Sequence, residues 1–374
     1  MTVQTVQTDT WYEVQNPDQV LSPALLIYEE RIAFNIDLMI KIAGSADRLV
    51  PHVKTHKMVE VTQMQLEAGI TKFKCATIAE AEMLALAGAK WVLIAYQLVG
   101  PNIERLFALQ EKYPEVHFAS LLDSLNSAQN LNKSSQGRSS FVFIDVNNGM
   151  NRSGFPVQQG LFKLYQEIAQ LDNLQLEGLH VYDGHIREAD FAKRKAHSDT
   201  DFELVNQLRN TLIETGYPTP MIIAGGSPTF TVHVQREDVF CSPGTCLLWD
   251  WGYGDRFLDQ PFQHAAVLAT RVISKPAENI ITIDLGHKAV ATENPIDRRF
   301  RFLNLTQYEV MSQSEEHGVI QVAEWNSIQV GDLLYALPYH ICPTVALHES
   351  ATVVKNRTVL DKWSILARKR MISV

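Results

Sequence analysis

Short apolar segments alternate with amphipathic segments between residues 48 and 245, and this alternation restricts the folds open to the chain. The amphipathic segments, such as IAEAEMLALAGA and LFKLYQEIAQL, place apolar residues every three or four positions, as helices do. The eight apolar segments have the length of strands, and they are RLVPHV, KFKCAT, WVLIAY, VHFASLL, FVFIDV, LEGLHVY, MIIAGG and DVFCSPG. Eight alternating pairs predict an α/β fold of the (β/α)8 TIM-barrel type, and an open doubly wound sheet is the alternative.

The sequence pattern changes near residue 255. From residue 264 onward, short β-like segments follow one another with few helical segments between them, and examples are NIITIDLG, GVIQVAEW and DLLYALPYHI. Near the N terminus, WYEV and ALLIY are also strand-like. We therefore predict a barrel domain at residues 25–255 and a mostly-β domain formed by residues 1–24 together with residues 256–374.

The charge balance and the cysteine content argue against several classes of function. Lys and Arg number 33 against 42 Asp and Glu, and no basic run occurs, so nucleic acids and anionic membranes are poor partners. The apolar runs fall short of the ~20 residues of a membrane-spanning helix, and the N terminus predicts no signal peptide. The 4 cysteines form no CxxC pair, which predicts a reduced, cytoplasmic protein.

Polar and glycine-rich residues follow the predicted strands, at the end of the barrel where ligands bind. Lys54, within PHVKTHK, follows the first strand, and GGSPT at residues 225–229 follows the seventh. Glycine N–H groups and hydroxyls suit a phosphate, although the same loop could simply cap a helix. A lysine desolvated in a barrel mouth becomes a nucleophile, although this one could be an ordinary surface residue. An amine and a phosphate anchor together suit pyridoxal 5′-phosphate.

In order and spacing, these motifs resemble those of the D-threonine aldolase and D-serine dehydratase family, whose members are alanine racemase-like, fold type III pyridoxal phosphate enzymes. PHVKTHK is similar to the cofactor-lysine motif of the family, and DVNNGMNRSGF is similar to its fifth-strand segment. The other matching segments are HVYDGH, GGSPT, PGT, SEEHG and PYHICPTV. The resemblance extends from about residue 20 to residue 370.

The resemblance implies a role in cofactor binding for each matching position of the barrel. Lys54 would hold pyridoxal phosphate covalently, and Arg152 would lie beside the phenolic oxygen of the cofactor. Tyr182 would lie near the pyridine nitrogen. The phosphate group would be bound by Gly225, Gly226, Ser227 and Thr229.

His340 and Cys342 are the predicted metal ligands. On a strand, positions i and i+2 face the same side, so both side chains could reach one divalent ion. An imidazole and a thiolate favour zinc, although a buried cysteine beside a hydrogen-bonded histidine is the alternative from the residues alone. The resemblance favours metal binding by His340 and Cys342 over this alternative. His180, His185 and His317 are either acid–base groups or structural histidines.

The function that the resemblance implies is that of a homodimeric, metal-assisted pyridoxal phosphate lyase acting on D-3-hydroxy amino acids. Lys54 would take the α-proton, and the metal would act on the 3-hydroxyl. Loss of that hydroxyl is the D-serine dehydratase reaction, whereas cleavage of the Cα–Cβ bond is the D-threonine aldolase reaction. The His-x-Cys form of the metal motif, with Cys342, favours the dehydratase. The alternatives are a metal-independent amino-acid racemase, a non-catalytic pyridoxal phosphate-binding protein, and a C-terminal domain that serves only in assembly.

Overall fold

The computed structural model describes residues 10–374, which form two compact units. The barrel unit comprises Ala33–Leu247, Tyr253–Gln263 and Ile365–Val374, and the β unit comprises the described residues up to Ile32, Leu248–Gly252 and His264–Ser364. The predicted domain limits, 25–255 and 1–24 with 256–374, stay a prediction, because compactness does not show that either part folds alone. Among residues 10–374, no helix is both long and apolar enough to cross a bilayer.

Strands and helices are numbered in chain order. The strands are β1 Ala24–Tyr28, β2 Lys72–Cys75, β3 Trp91–Gln97, β4 His117–Leu122, β5 Ser140–Asn147, β6 Phe155–Pro156, β7 Leu174–Val181, β8 Met221–Ala224, β9 Val239–Cys241, β10 Ala266–Ala277, β11 Ile280–Ile283, β12 Phe300–Phe302, β13 Tyr308–Gln313, β14 Gly318–Val322, β15 Leu333–Pro338, β16 Ser350–Lys355 and β17 Thr358–Ser364. The α-helices are α1 Glu29–Ala43, α2 Val59–Glu67, α3 Ile78–Ala87, α4 Pro101–Lys112, α5 Leu125–Ser135, α6 Leu161–Ala169, α7 Phe191–Glu214, α8 Phe230–His233, α9 Trp251–Arg256 and α10 Ile341–Leu347.

The barrel unit contains a curved parallel sheet with the strand order β2-β3-β4-β5-β7-β8-β9, and the short β6 pairs with β5. The first predicted strand joins the two edges of this sheet, because Leu49 bridges to Cys241 in β9 and His52 bridges to Lys74 in β2. Pro51 lacks an N–H group, which explains why this segment forms isolated bridges instead of a regular strand. The predicted α/β fold of the TIM-barrel type is therefore confirmed, with seven regular barrel strands and one irregular closing segment.

Apolar side chains fill the barrel interior, as the alternation of inward and outward positions along its strands requires. This core is formed by Val50, Leu93, Ala119, Leu121, Phe143 and Ile223. Polar side chains near the carboxyl ends of the strands therefore lie above a dry, packed layer.

Helix α3 shows how local sequence fixes the mouth of the barrel. Oγ1 of Thr77 accepts the backbone N–H of Glu80 at 3.1 Å, and Oε2 of Glu80 accepts the backbone N–H of Ala76 at 2.7 Å. This pair is a variant of the capping box in which the glutamate bonds to the residue before the N-cap, and the helix ends at Gly88 with a φ of +102°. Glu80 also forms an ion pair with Lys57, so the cap ties down the loop that contains PHVKTHK.

The β unit is built around a sheet with the order β13-β14-β11-β10-β1-β16-β17, and β15 pairs with β10 and β12. The predicted strand ALLIY is β1, which pairs with β10 antiparallel and with β16 parallel. The prediction that WYEV is also a strand is wrong, because this segment forms a turn followed by irregular structure. Its residues Tyr12 and Val14 are buried in the core. Other members of that core are Leu26, Tyr28, Val267, Ala269, Tyr335, Leu337 and Val354.

Candidate active site

Lys54 lies in a turn directly after the segment that closes the barrel. Its backbone N–H donates a hydrogen bond to Nδ1 of His52 at 3.3 Å, which holds the turn against that segment. Its side chain is half-buried, and Nζ lies 5.8 Å from the centroid of the Tyr182 ring. Lys57 is instead paired with the buried Glu80. Of the two lysines in PHVKTHK, Lys54 is therefore the one whose amine approaches Tyr182.

Positive charge surrounds the Tyr182 ring. Cζ of Arg152 lies 4.9 Å from the ring centroid. Nζ of Lys74, a residue that the sequence pattern does not indicate, lies 5.7 Å from the same centroid. We call Lys54, Lys74 and Arg152 the cationic cluster. A planar anionic ligand would be attracted to this position, because full positive charges and an aromatic face meet there.

Lys74 extends from β2 and belongs to a buried hydrogen-bonded chain. Only 2% of the residue is exposed, and its Nζ lies 3.3 Å from Nε2 of His180. Nδ1 of His180 lies 2.8 Å from Oδ1 of Asp145, so Nδ1 carries the proton and Nε2 accepts from Lys74. Burial and the charge of Lys54 lower the pKa of Lys74 to about 7. The cationic cluster therefore contains one amine that changes its charge near neutral pH.

Asp145 anchors the other end of this chain. Its Oδ2 accepts hydrogen bonds from Gln97 at 2.7 Å and from Ser153 at 2.9 Å. Burial alone would raise the pKa of Asp145, but the hydrogen bonds that it accepts, that from His180 first, lower it. Burial and the charge of Lys74 lower the pKa of His180. An ionised carboxylate thus orients a neutral imidazole towards the buried amine.

We expect Lys74→Met to stabilise the fold at low pH. The folded-state pKa of Lys74, about 7, lies below the ordinary lysine value, so the unfolded chain binds more protons between the two values. The free energy of unfolding of the wild-type protein therefore falls as the pH drops towards 7. Below pH 7, Lys74 is charged in the folded protein and its burial destabilises the fold to the full extent. The variant should gain on the order of 1–4 kcal/mol in free energy of unfolding at about pH 6, and less at about pH 9, in denaturant titrations of the ligand-free protein.

Comparing Lys74→Met at the two pH values separates the effect of the Lys74 charge from the effect of its packing. Loss of the hydrogen bond to His180 affects the variant at both pH values, so the difference between the two values reports the charge. Lys90→Met, at a lysine with 64% of its side chain exposed, is the matched control and should show no pH-dependent change. An equal effect of Lys74→Met at both pH values would contradict a buried, titrating amine.

The glycine-rich loop after β8 is fixed by hydrogen bonds to neighbouring segments. Oγ of Ser227 accepts the backbone N–H groups of Gly244 at 3.1 Å and Thr245 at 3.0 Å. Oγ1 of Thr229 donates to Oδ1 of the buried Asp183 at 2.7 Å. The proton of the Thr229 hydroxyl is therefore used within the protein, whereas Ser227 keeps its O–H proton for another acceptor.

Gly225 and Gly226 let this loop pass close to its neighbours. Gly225 has a φ of +73°, which favours glycine, and a Cβ there would lie 2.5 Å from Cδ2 of His233. A Cβ on Gly226 would lie 3.1 Å from Cε2 of Tyr182. Directly after the neighbouring strand β9, the Oγ of Ser242 is buried and has no hydrogen-bond partner within residues 10–374. The N–H of Gly225 donates to the carbonyl of Val181 at 2.9 Å, whereas the N–H of Gly226 has only a long contact of 3.5 Å with Oγ1 of Thr229. The N–H of Gly226 and the unsatisfied hydroxyl of Ser242 are therefore the groups here that fit the oxygens of a phosphate.

The predicted metal ligands His340 and Cys342 do not lie on a strand, so the strand-based reason for pairing them is wrong. β15 ends at Pro338, and α10 begins at Ile341, directly after His340. Pro343 falls in the first turn of α10, where its missing N–H is tolerated, and this favours a helix over a continued strand.

The two side chains nevertheless meet at the start of α10. His340 and Cys342 are hydrogen-bonded to each other, and Nδ1 of His340 lies 2.6 Å from Oε1 of Glu293. Burial would lower the pKa of His340, but the hydrogen bond with Cys342 and two nearby carboxylates raise it to about 9. The carboxylates are those of Asp250 and Glu293. The site therefore attracts a cation, and the imidazole and thiol are donors that fit zinc, with Glu293 orienting the imidazole.

The structure thus groups the predicted residues in two places. In the barrel unit, Lys54, Arg152 and Gly226 lie around Tyr182. In the β unit, the predicted metal ligands form a pair. The residues that the sequence pattern did not indicate are Lys74, Asp145, Asp183, Ser242 and Glu293. Three of them could have been recognised in the sequence as charged residues within predicted strands or directly after one. They are the second lysine of KFKC and the aspartates of FVFIDV and HVYDGH.

Family models and individual relatives match both units. The model of the alanine racemase N-terminal domain matches residues 27–250, and that of a putative serine dehydratase domain matches residues 265–354. The chain is 26% identical over 362 residues to a D-threonine aldolase of Arthrobacter sp., with 94% of this chain and 93% of that protein covered. It is 23% identical over 362 residues to D-threo-3-hydroxyaspartate dehydratase of Delftia sp. strain HT23, with 87% and 92% covered.

A solved structure with a similar fold is that of D-threonine aldolase from Filomicrobium marinum. It superposes with a TM-score of 0.85 at 25% sequence identity, and the match covers 93% of this chain and 95% of that one. The similarity therefore extends through both units and is not confined to the barrel.

Proposed function

Because this chain belongs to the family of the alanine racemase N-terminal domain, and carries a putative serine dehydratase domain after it, we propose that it is a pyridoxal phosphate-dependent lyase of D-3-hydroxy amino acids. The observation that carries the proposal is the convergence of Lys54 and Arg152 on the Tyr182 ring, beside a loop of bare backbone. The relatives support the reaction class, since one is a D-threonine aldolase and another is a D-threo-3-hydroxyaspartate dehydratase.

The barrel residues would hold the cofactor in the following way. Pyridoxal phosphate, when bound, supplies an electron-accepting ring that stabilises negative charge at the α-carbon of an amino acid. Lys54 would hold it covalently, Arg152 would lie beside its phenolic oxygen, and Tyr182 would lie near its pyridine nitrogen. The phosphate would lie at the loop of Gly225, Gly226, Ser227 and Thr229, with the N–H of Gly226 and the hydroxyls of Ser227 and Ser242 as donors. Gly225 would shape the loop, and Thr229 would hold it through its hydrogen bond to Asp183.

The protein's own amines supply the proton chemistry in this proposal. Lys54 is the half-buried amine beside Tyr182, and we assign to it the removal of the α-proton. Lys74 donates to His180, whose orientation Asp145 fixes, so this buried chain holds a proton close to the cationic cluster. A protonated Lys74 would strengthen the binding of anionic groups at the Tyr182 ring.

A divalent metal ion, zinc by the type of its donors, is proposed at His340 and Cys342. Such an ion supplies Lewis-acid polarisation of a hydroxyl. The hydroxyl leaves with its bonding electrons in the dehydratase reaction, whereas in the aldolase reaction it loses its proton as the Cα–Cβ bond breaks. The resemblance of the His-x-Cys motif, with Cys342, to that of the dehydratase members favours elimination. Aldol cleavage is the second candidate, which the higher identity to D-threonine aldolase favours.

The products of turnover distinguish these reactions. We expect D-serine and D-threonine to give 2-keto acids and ammonia, with the L-enantiomers inert and activity lost on treatment with a chelator. Keto acids and ammonia are measured against glycine and aldehydes in the same reaction. Interconversion of enantiomers that survives chelation would instead indicate the racemase, and the absence of any turnover would indicate a non-catalytic cofactor-binding protein.

Assembly and location stay predictions. The resemblance alone suggests a homodimer, and the cysteine content suggests the cytoplasm. In residues 10–374 all four cysteines are free, and Cys75, Cys241 and Cys246 are buried, as expected where thiols remain reduced.

A further inference from the structure

A second cluster of metal-binding side chains lies in the barrel unit, and the proposed reaction does not use it. His197 and Asp201 lie one turn apart on α7, so their side chains share one face of the helix. Oδ2 of Asp201 lies 2.9 Å from Nε2 of His185 and 3.5 Å from Nε2 of His197. Two ligands of a tetrahedral zinc ion with bonds of about 2.1 Å are roughly 3.4 Å apart. The separation of Asp201 and His197 already has this value, the shorter one to His185 is a hydrogen bond that an ion would replace, and all three ligand atoms lie within 4.8 Å of one another.

His197 is held in the tautomer that a metal ligand needs. Its Nδ1 lies 2.7 Å from Oε1 of Glu188, so this nitrogen donates its proton to the carboxylate. Nε2 is then unprotonated on the side of Asp201. Histidine ligands of zinc commonly donate their other N–H to a carboxylate, which fixes the ring and raises its basicity.

The cluster is unsatisfied as a purely hydrogen-bonded network. Nδ1 of His185 and Oε2 of Glu188 are buried, and neither has a partner within residues 10–374. In the same described part of the chain, neither Glu188 nor Asp201 is paired with a lysine or arginine, since Lys195 and Arg194 of α7 bind other carboxylates. A divalent cation would balance the two negative charges that remain.

An ion can reach this cluster from solvent, because the side chains of His185, His197 and Asp201 are 22%, 38% and 21% exposed. A cavity of about 450 Å³ is lined by Asn147, Gly149 and Asp201, among others. A Cβ on Gly149 would lie 2.8 Å from Nε2 of His185, so the loop after β5 passes directly over the cluster. The same loop leads to Arg152.

We propose that His185, His197 and Asp201 bind a divalent transition-metal ion, zinc by the type of its donors, at a site separate from the pair in the β unit. Glu188 acts as the positioning residue for His197. The bound ion braces the loop that leads to Arg152 against α7. This site is independent of the proposed reaction, since its residues would bind metal whether or not the protein turns over an amino acid.

The test is metal binding by a variant that lacks the other pair, His340→Ala with Cys342→Ala. We expect this background protein to retain one Co²⁺ per chain after dialysis, measured by elemental analysis, without the near-ultraviolet band that a thiolate ligand gives. Adding His197→Ala or Asp201→Asn should abolish that uptake, and adding Glu188→Gln should weaken it by about 10–100-fold. Zn²⁺ should raise the Tm of the background protein but not that of the His197→Ala protein.

His117→Ala is the matched control in the same background. Nε2 of His117 lies 3.0 Å from the carboxylate of Glu177, but within residues 10–374 this pair belongs to no group of three ligands. The control should retain its cobalt. A folded background protein that binds no Co²⁺, or that keeps it after His197→Ala, overturns the proposal. If the background protein does not fold, Asp201→Asn in the wild-type chain decides, because it should remove one metal ion and leave the thiolate band intact.

Discussion

Lys54→Ala is expected to lower turnover of D-3-hydroxy amino acids by at least ~10³-fold, because general base catalysis alone contributes ~10²–10⁴-fold and the covalent link to the cofactor is lost as well. The variant should also lose the visible absorbance of a lysine-bound cofactor. Its fold should persist, since the Lys54 side chain is half-buried at the edge of the barrel. Steady-state kinetics, absorption spectra and circular dichroism measure the three effects.

Two arginine variants separate the chemistry of this lysine from its charge. Lys54→Arg keeps the positive charge of the cationic cluster but not the reactive amine, so it should be as inactive as Lys54→Ala. Lys57→Arg, in the same heptapeptide, keeps the ion pair with Glu80 and should retain both turnover and absorbance. An active Lys54→Arg protein would mean that Lys54 contributes charge alone.

Cys342→Ala is expected to lower lyase turnover by roughly 10²–10³-fold, since Lewis-acid polarisation of an oxygen contributes several kcal/mol to the stabilisation of a transition state. A chelator should have a similar effect on the wild-type protein, and added Zn²⁺ should restore the wild type but not the variant. The cofactor absorbance should remain, because Cys342 is not among the residues proposed to hold the cofactor.

The aspartate variant is the informative comparison for this prediction. Cys342→Asp keeps a metal ligand and should remain dependent on the metal, while its products shift from keto acid and ammonia towards glycine and aldehyde. Turnover that is unaffected by Cys342→Ala and by chelation would contradict a metal-assisted lyase. A racemase would then be the better description of the activity.

The barrel could be predicted from the sequence because one local pattern, a short apolar strand followed by an amphipathic helix, recurs along it. The pattern does not show how regular each strand is. The segment around Pro51 closes the barrel through isolated bridges at Leu49 and His52, since a proline interrupts the backbone ladder. The segment WYEV was wrongly predicted to be a strand. Its apolar residues Tyr12 and Val14 are buried in the core without pairing as a strand.

The candidate site could be predicted only in part. Lys54 was singled out because the carboxyl ends of parallel strands meet at one mouth of the barrel, whereas Tyr182 was singled out by the resemblance of HVYDGH to the family motif. Lys74 was missed because a lysine is ordinarily exposed, and its burial depends on His180, which comes from a distant strand of the barrel. Glu293 was missed because only the tertiary fold brings it within 2.6 Å of His340.

The most direct test of the cofactor assignment is to reduce the holoprotein with borohydride, digest it, and locate the modified lysine by mass spectrometry. Lys74, in the cationic cluster, and Lys57, in the same heptapeptide, are the internal comparisons. We expect the cofactor-derived mass on Lys54 alone. Its presence on Lys74 or Lys57, or its absence from all three, would contradict the central claim that Lys54 holds the cofactor.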